Sequence, residues 1–409
     1  METGTVPAEP GAEAPVVVVG AGLSGLAAAW TLERRGLPVV VLEAAPRVAE
    51  PWRARHPALR LNVHRRFAAL PGQPAPRSDG AFLRRDTVVR HLERYADRLD
   101  TPIRFGAEVT AIRREGAGWL VDAGDRTLRA SDVVLATGRD SVPWVPDWPG
   151  REGFAGAFLH AADLGDAARF DGLHVLMAGA GNSGSDVLNH LARHRPRAVS
   201  IAVRHGPAVV PTRVFGLALH RLARVFAALP PAVLDPAFRL TQRLFLGDLR
   251  RFGLGSHSDG GGTRLLRDGI AFAIDDGFVA ALGAGRFRVV AAIEGFEGDR
   301  VRLADASAVR PDVVIAATGY RPRLEPLLGA LGVLDDDGRP RCPMGEADPA
   351  NPGLWFTGFR PIFTGYFDAA RIAADRIADG VAARRAAAAV ARPFGRVRAG
   401  SAPERPAGD

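Results

Sequence analysis

The 409-residue chain has no lysine; all 53 of its Lys+Arg positions are arginine. A Schiff-base lysine and a Walker-type phosphate loop are therefore excluded, since each needs the missing amine. Cysteine is almost as scarce. With Cys342 alone, neither an intrachain disulfide nor a CxxC redox pair can form. The 10 histidines are spread along the chain without HExxH spacing, and no metal site is expected. No run of about 18 apolar residues occurs, so a membrane-spanning helix is not expected. The opening "METGTVPAEPGA" lacks the basic start and apolar core of a secretory signal. That points to a loose tail over residues 1–12 and a cytoplasmic protein.

What is present is the make-up of a globular protein, with 47% hydrophobic and 24% charged residues. The length suits two domains. A net charge of +8 does not point to nucleic acid as a partner. Both signs are interspersed, as in "RRDTVVRHLERYADRLD", which reads as a solvated helix face.

Two glycine fingerprints carry the information. "VVVVGAGLSGLAAAW" sets a buried-strand run, Val16 to Val19, before Gly20, Gly22 and Gly25, and Gly36 closes the apolar helix that follows. "PVVVLE" is then a strand ending at Glu43. The pattern restarts in "HVLMAGAGNSGSDV" with Gly179, Gly181 and Gly184, a helix to about Arg193 and the strand "AVSIAVR". In such a loop the first glycine permits a tight turn, the second lets the backbone approach a pyrophosphate, and the third lets helix and strand pack closely. The phosphates then meet free N–H groups at the positive end of the helix. Both copies lie between a strand and a helix, as the motif requires. The expected fold is α/β, with two Rossmann-like dinucleotide-binding domains.

The end of the second strand in each copy separates the ligands. Glu43 can accept hydrogen bonds from ribose hydroxyls. Arg204, in the comparable place, matches a 2′-phosphate and favours NADPH over NADH. Two dinucleotides held at once imply that one gives a hydride and the other, a flavin, accepts it. "DVVLATG", ending at Gly138, is echoed by "DVVIAATGY", which ends near Gly319, and "IRFGAEVTAIRREGAGWLVDAG" alternates like antiparallel strands. The proline-rich "SVPWVPDWPG" reads as a hinge. The organisation expected is an FAD-binding domain over 13–148 and 306–385, an NADPH-binding domain over 149–305 inserted into it, and a tail over 386–409. Within the insertion, residues from about 208 to 254 are apolar at three- and four-residue steps with arginines between them. They are expected to form a helical insert packed on its own domain, with a membrane-surface role as the alternative.

With these residues in view, the sequence resembles the flavin-containing monooxygenases (class B flavoprotein monooxygenases), and their YUCCA-type and bacterial members in particular, from about Val16 to Ala382. "FAGAFLH", Phe154 to His160, fits the FxGxxxH pattern that precedes the NADPH fingerprint in that family. "GAGNSG", "VVPTRVFG", "LGDLRRFGL", "ATGY" and "GLWFTGF" follow in the family's order. The resemblance implies FAD on the first loop with Ser24, Glu43 and the backbone of Val109, Trp52 close to the flavin, and Gly358 in a segment that returns over it. NADPH would lie on the second loop with Asn182, Ser183 and Arg204. Asn62 aligns with an asparagine beside the reactive flavin edge and is the candidate catalytic residue. His160 would link domains rather than transfer protons.

The activity implied is NADPH- and O2-dependent insertion of one oxygen atom into a small organic substrate through a C4a-(hydro)peroxyflavin. Amine or sulfide oxygenation and attack on a ketone or 2-oxo acid both stay open, with the YUCCA-like landmarks favouring the carbonyl. One departure stands out. "VAEPW" puts Ala49, Glu50 and Pro51 where relatives have Gly-Gly before the tryptophan. Crowding there would favour an NADPH oxidase that releases hydrogen peroxide; a flavin-free redox-sensing or scaffold protein is a third reading. A homodimer is common among such relatives.

Overall fold

Val16–Val19 is four valines with no polar face. The structure, a computed structural model described over residues 14–255 and 257–391, buries this strand on both sides, as a central parallel strand requires. Val16 and Val18 face one apolar cluster with Leu26 and Ile377, whereas Val17 and Val19 face another built on Trp119 and Val121. That is the two-residue alternation of a strand covered twice.

The first unit contains β1 (Val16–Val19), α1 (Leu23–Arg34), β2 (Val39–Glu43), β3 (Ile103–Phe105) and β4 (Asp132–Leu135). The second contains β5 (Ala157–His160), β6 (His174–Ala178), α2 (Asn182–Arg193), β7 (Ala198–Ala202), α3 (Pro231–Phe245), β8 (Phe287–Val290) and β9 (Val313–Ala316). The chain then returns through β10 (Leu354–Phe356) to α4 (Tyr366–Ala391). Two five-stranded sheets result, in the orders β10-β4-β1-β2-β3 and β8-β7-β6-β9-β5. Every neighbouring pair in both is parallel. Because β10 pairs with β4, the whole second sheet is inserted between two strands of the first. The fold is the two-dinucleotide-domain arrangement expected.

The outgoing and returning connections run side by side. Val142–Pro143 pairs antiparallel with Tyr320–Arg321. The Trp144 N–H donates to the Gly319 carbonyl at 2.9 Å, and Thr318 Oγ1 donates to the Trp144 carbonyl at 2.5 Å.

Three boundaries differ from the sequence reading. The segment "DVVIAATGY" was expected within the returning part of the first unit, from residue 306. Its strand β9 instead joins the second sheet, between β6 and β5. The physical reason is the repeat itself, since the last strand of each copy lies beside the first strand of its own sheet. Ile103–Phe105 pairs parallel with β2 rather than antiparallel; the antiparallel sheet starts at Val109–Glu115 and includes Gly118–Ala123 and Arg126–Ala130. Residues 386–391, placed in the tail, continue α4. Arg384 Nε bonds the buried Asp132 at 3.0 Å and Arg385 bonds Ser131 Oγ at 3.0 Å, which fastens this helix to the start of β4. Residues 1–12 and 392–409 lie outside the described residues.

Candidate active site

Each glycine loop follows a central strand and caps a helix, and the two are built alike. Gly20 and Gly179 have φ of +106° and +98°, a region L side chains avoid. A Cβ on Gly25 would lie 1.8 Å from the Gly20 carbonyl oxygen, and one on Gly184 2.3 Å from that of Gly179. The first and third glycines are therefore demanded by the fold. The middle ones are not: a Cβ on Gly22 or Gly181 meets nothing within 4 Å. Both are helix N-caps without a side-chain cap bond, so first-turn N–H groups are left to an outside acceptor. Open space beside free donors at a helix's positive end suits a pyrophosphate.

Around the first loop, Glu43 accepts from the Ala21 N–H at 2.6 Å and the Ala45 N–H at 2.9 Å. Its carboxylate is fixed beside the loop and retains lone pairs for ribose hydroxyls. The Glu43 carbonyl accepts from the Ala107 N–H at 2.9 Å, which brings the strand of Val109 alongside. Gly358, at φ +85°, comes so close that a Cβ there would sit 2.8 Å from Ser24 Oγ and 3.9 Å from the Gly138 Cα. Thr137 Oγ1, next to Gly138, is buried and has no partner among the described residues. A polar atom left over at this point fits a bound ligand.

Around the second loop, the Gly179 N–H donates to the Ala202 carbonyl at the end of β7. Arg204, two residues on, is exposed and has no ion pair or hydrogen bond among the described residues. Asn182 Nδ2 donates to the Phe272 carbonyl at 2.9 Å, which ties the loop to the far wall of the site.

Two cavities of about 670 and 680 Å3 meet between the units and share Asn62, Arg139, Asn182, Ser183, Tyr320 and Tyr366 in their walls. The larger reaches Gly22, Ser24, Trp52, Gly138 and Gly358. The other reaches Gly181 and Gly319, then widens into a chamber with Phe226, Phe238, Phe272 and Phe363. The structure thus brings Asn62, Trp52 and both open glycines to one space. Gly20, Gly25, Glu43, Val109, Gly179, Gly184 and Arg204 stand behind or beside it.

His160 is buried, and burial holds its pKa below the usual histidine range. Nδ1 accepts from the Ala162 N–H at 3.1 Å, leaving Nε2 as the donor to the Gly319 carbonyl at 3.1 Å. A neutral ring so engaged pins the returning connection to β5. The Ala49–Pro51 departure also has a local account. Ala49 adopts the left-handed conformation at φ +63° and is 2% exposed. It thus keeps a backbone suited to glycine. Glu50 bonds Arg47 at 2.5 Å and lies 3.8 Å from Arg53, and the Arg47 hydrogen bond holds its carboxyl below the ordinary range. Its charge is matched, and only Pro51 and Trp52 of this turn line a cavity.

Several site residues carried no signal in the sequence. Arg139 and Tyr366 are ordinary where they stand, and the chamber's phenylalanines come from distant segments. His190 and His194 stand one helical turn apart, but His194 faces Asp171 at 3.9 Å. His190 instead shares Asp186 with His56, from the other unit, at 3.5 and 2.8 Å.

A profile described as pyridine nucleotide-disulphide oxidoreductase matches residues 17–209. The disulphide chemistry in that description has no counterpart here, where Cys342 stands alone. The chain is 34% identical to the indole-3-pyruvate monooxygenase YUCCA1 of Oryza sativa subsp. japonica, over 84% of this chain and 86% of that one. It is 30% identical to the probable indole-3-pyruvate monooxygenase YUCCA3 of Arabidopsis thaliana, over 88% and 85%. Among solved structures, a flavin-containing monooxygenase from Stenotrophomonas maltophilia superposes with a TM-score of 0.67 at 25% identity, covering 89% of this chain and 98% of that one. Cyclohexanone monooxygenase from Rhodococcus sp. Phi1 bound to NADP+ shares the fold, with a TM-score of 0.64 at 19% identity over 91% and 84% of the two chains.

Proposed function

The chain belongs to the flavin monooxygenase family, and from that premise we propose that it inserts one atom of O2 into a small carbonyl substrate carrying an apolar, aryl-sized group. FAD and NADPH are its cofactors; FAD supplies the oxygen chemistry and NADPH the hydride. The first loop with Ser24, Thr137, Gly138 and Gly358 holds FAD, while Glu43 and the Val109 backbone receive its adenosine half and Trp52 packs near the flavin ring. The second loop with Asn182 and Ser183 holds the NADPH pyrophosphate, and Arg204 meets the 2′-phosphate. Gly319 belongs to the same wall. The Asn62 amide stands where the two cavities join and orients groups by hydrogen bonding.

The observation that carries the substrate class is the chamber. Its phenylalanines exclude water from the reacting centre, and Arg139 reaches the junction beside Asn62. Arg139 donates to the Gly269 carbonyl at 2.7 Å and lies 3.5 Å from Asp140, so part of its donor fork is spent. The rest suits a carboxylate. A 2-oxo acid joins these features, and the rice relative's name is that of an enzyme acting on one. The balance is 2-oxo acid, O2, NADPH and a proton giving the shortened acid, CO2, water and NADP+.

Purified FAD-loaded protein, given NADPH in air with amine, sulfide, ketone and aryl 2-oxo-acid panels, should release labelled CO2 and the shortened acid from the last. Oxygenated amine or sulfide products without decarboxylation would move the assignment to heteroatom chemistry.

A further inference from the structure

Among the described residues, nine of the fourteen exposed large apolar side chains lie between Phe215 and Phe245. Seven of them occupy three neighbouring pieces of the insert: the hairpin that pairs Arg213–Val214 with Leu217–Ala218, the short helix Ala223–Ala227, and α3; Leu222 and Leu229 flank the short helix. Phe215, at the hairpin tip, is 90% exposed. Its ring meets that of Phe245, at the end of α3, edge-on at 5.3 Å, so hairpin and helix form one surface. Val233, Leu240 and Leu244 recur at helical spacing along α3, apart from the buried Leu234 and Phe238. Those inner residues pack with Phe67 and Phe363 of the first unit. The helix is satisfied inwardly and still apolar outwardly, which a solvated helix is not. Apolar surface of this extent marks an interaction site.

Charge identifies the partner. The same segment carries Arg213, Arg221, Arg224, Arg239 and Arg243, all exposed, and none is ion-paired among the described residues. Its one acid, Asp235, is buried and accepts from the Gly262 N–H at 2.7 Å and Thr263 Oγ1 at 2.6 Å. On α3 the stripe of Arg239 and Arg243 runs beside the apolar one. We propose that this face of the insert docks on an anionic phospholipid surface, with Phe215, Leu240, Leu244 and Phe245 in the acyl boundary and the guanidinium groups at the phosphates. A second copy of the chain is a poorer occupant. A two-fold contact through this face would set the unpaired arginines of one copy against those of the other.

Vesicle flotation of the flavin-loaded chain tests this. Phosphatidylcholine vesicles containing phosphatidylglycerol should carry the protein upward, and pure phosphatidylcholine vesicles should not. Phe215→Ser combined with Leu244→Gln should lower the bound fraction at least about tenfold. Arg239→Gln and Arg243→Gln should each lower it by about fivefold, and added salt should act in the same direction. Flavin absorbance and the unfolding midpoint should match the parent, because all four side chains are exposed. Failure to float, equal flotation with both vesicle types, or no effect of the substitutions overturns the proposal. So does a sedimenting dimer that Phe215→Ser with Leu244→Gln dissociates.

Discussion

His56 Nε2 lies 2.8 Å from Asp186 Oδ2, a hydrogen bond between the segment after Trp52 in the first unit and helix α2 in the second. Burial raises the Asp186 pKa, but the hydrogen bonds from His190 and His56 outweigh it and hold the carboxyl at about 2, against an ordinary 3.8. A carboxyl depressed on folding adds stability above its ordinary value, and that stability is lost as pH falls through the folded one. Asp186→Asn should therefore flatten the stability curve between about pH 4 and 2. Asp186→Ala should cost about 1–3 kcal/mol at neutral pH by stranding the 6%-exposed His56. Urea unfolding across pH for the three proteins measures both; superimposable curves would count against the linkage.

The glycines separate folding from binding. Gly25→Ala and Gly184→Ala drive a methyl into carbonyl oxygens and should destabilise by about 1–3 kcal/mol or more. Gly22→Ala and Gly181→Ala meet no protein atom within 4 Å and should leave the unfolding midpoint of the ligand-free chain nearly unchanged. The first should lose flavin on gel filtration, and the second should raise the KM for NADPH at least about tenfold. Retention of full cofactor affinity by both would remove the assigned cradles.

Arg204→Gln should raise the KM for NADPH by about tenfold or more while leaving that for NADH unchanged, since a charged hydrogen bond contributes roughly 1.5–3 kcal/mol. Steady-state rates with the two coenzymes give the ratio directly. A parallel loss with both would mean the guanidinium does not read the 2′-phosphate.

Ala49 sits at φ +63°, where a Cβ costs about 1–2 kcal/mol. Ala49→Gly should raise stability by about 1 kcal/mol after its added unfolded-state entropy is counted, with the flavin spectrum unaltered. Thermal unfolding with and without FAD distinguishes relief of backbone strain from a change at the ring.

Burial pushes His220 down to about 4. It accepts from the His64 N–H at 3.0 Å and packs against Phe67, joining the insert to the first unit. A histidine kept neutral by the fold loses its contribution as pH falls from about 6.5 to 4. His220→Phe should remove that part of the acid sensitivity, read from unfolding midpoints over this range.

Both glycine loops, their helices and the strands before them were legible because each residue there answers a local demand. A tight turn, a close carbonyl and an apolar strand leave marks in consecutive positions. The repeat of "DVVLATG" in "DVVIAATGY" was visible too, but its meaning depended on which sheet held the second copy, and pairing is not written in the strand itself. The chamber was not legible. Phe226 and Phe238 of the insert converge with Phe272 and Phe363 from two further segments, and no spacing connects them. Crowding at Glu50 is what its residue type suggests; the bond that occupies it with Arg47 takes coordinates to see. The insert's inner face followed helical periodicity; its bare outer face needed coordinates.

Both chain connections between the units pass through the ribbon of Val142–Pro143 against Tyr320–Arg321. It does not hold them alone: His56 meets Asp186, His220 meets the His64 N–H and Arg139 meets the Gly269 carbonyl across the same seam. A swing about the ribbon therefore has to release those side-chain contacts first, and severing one connection leaves the units clasped by the other and by these bonds.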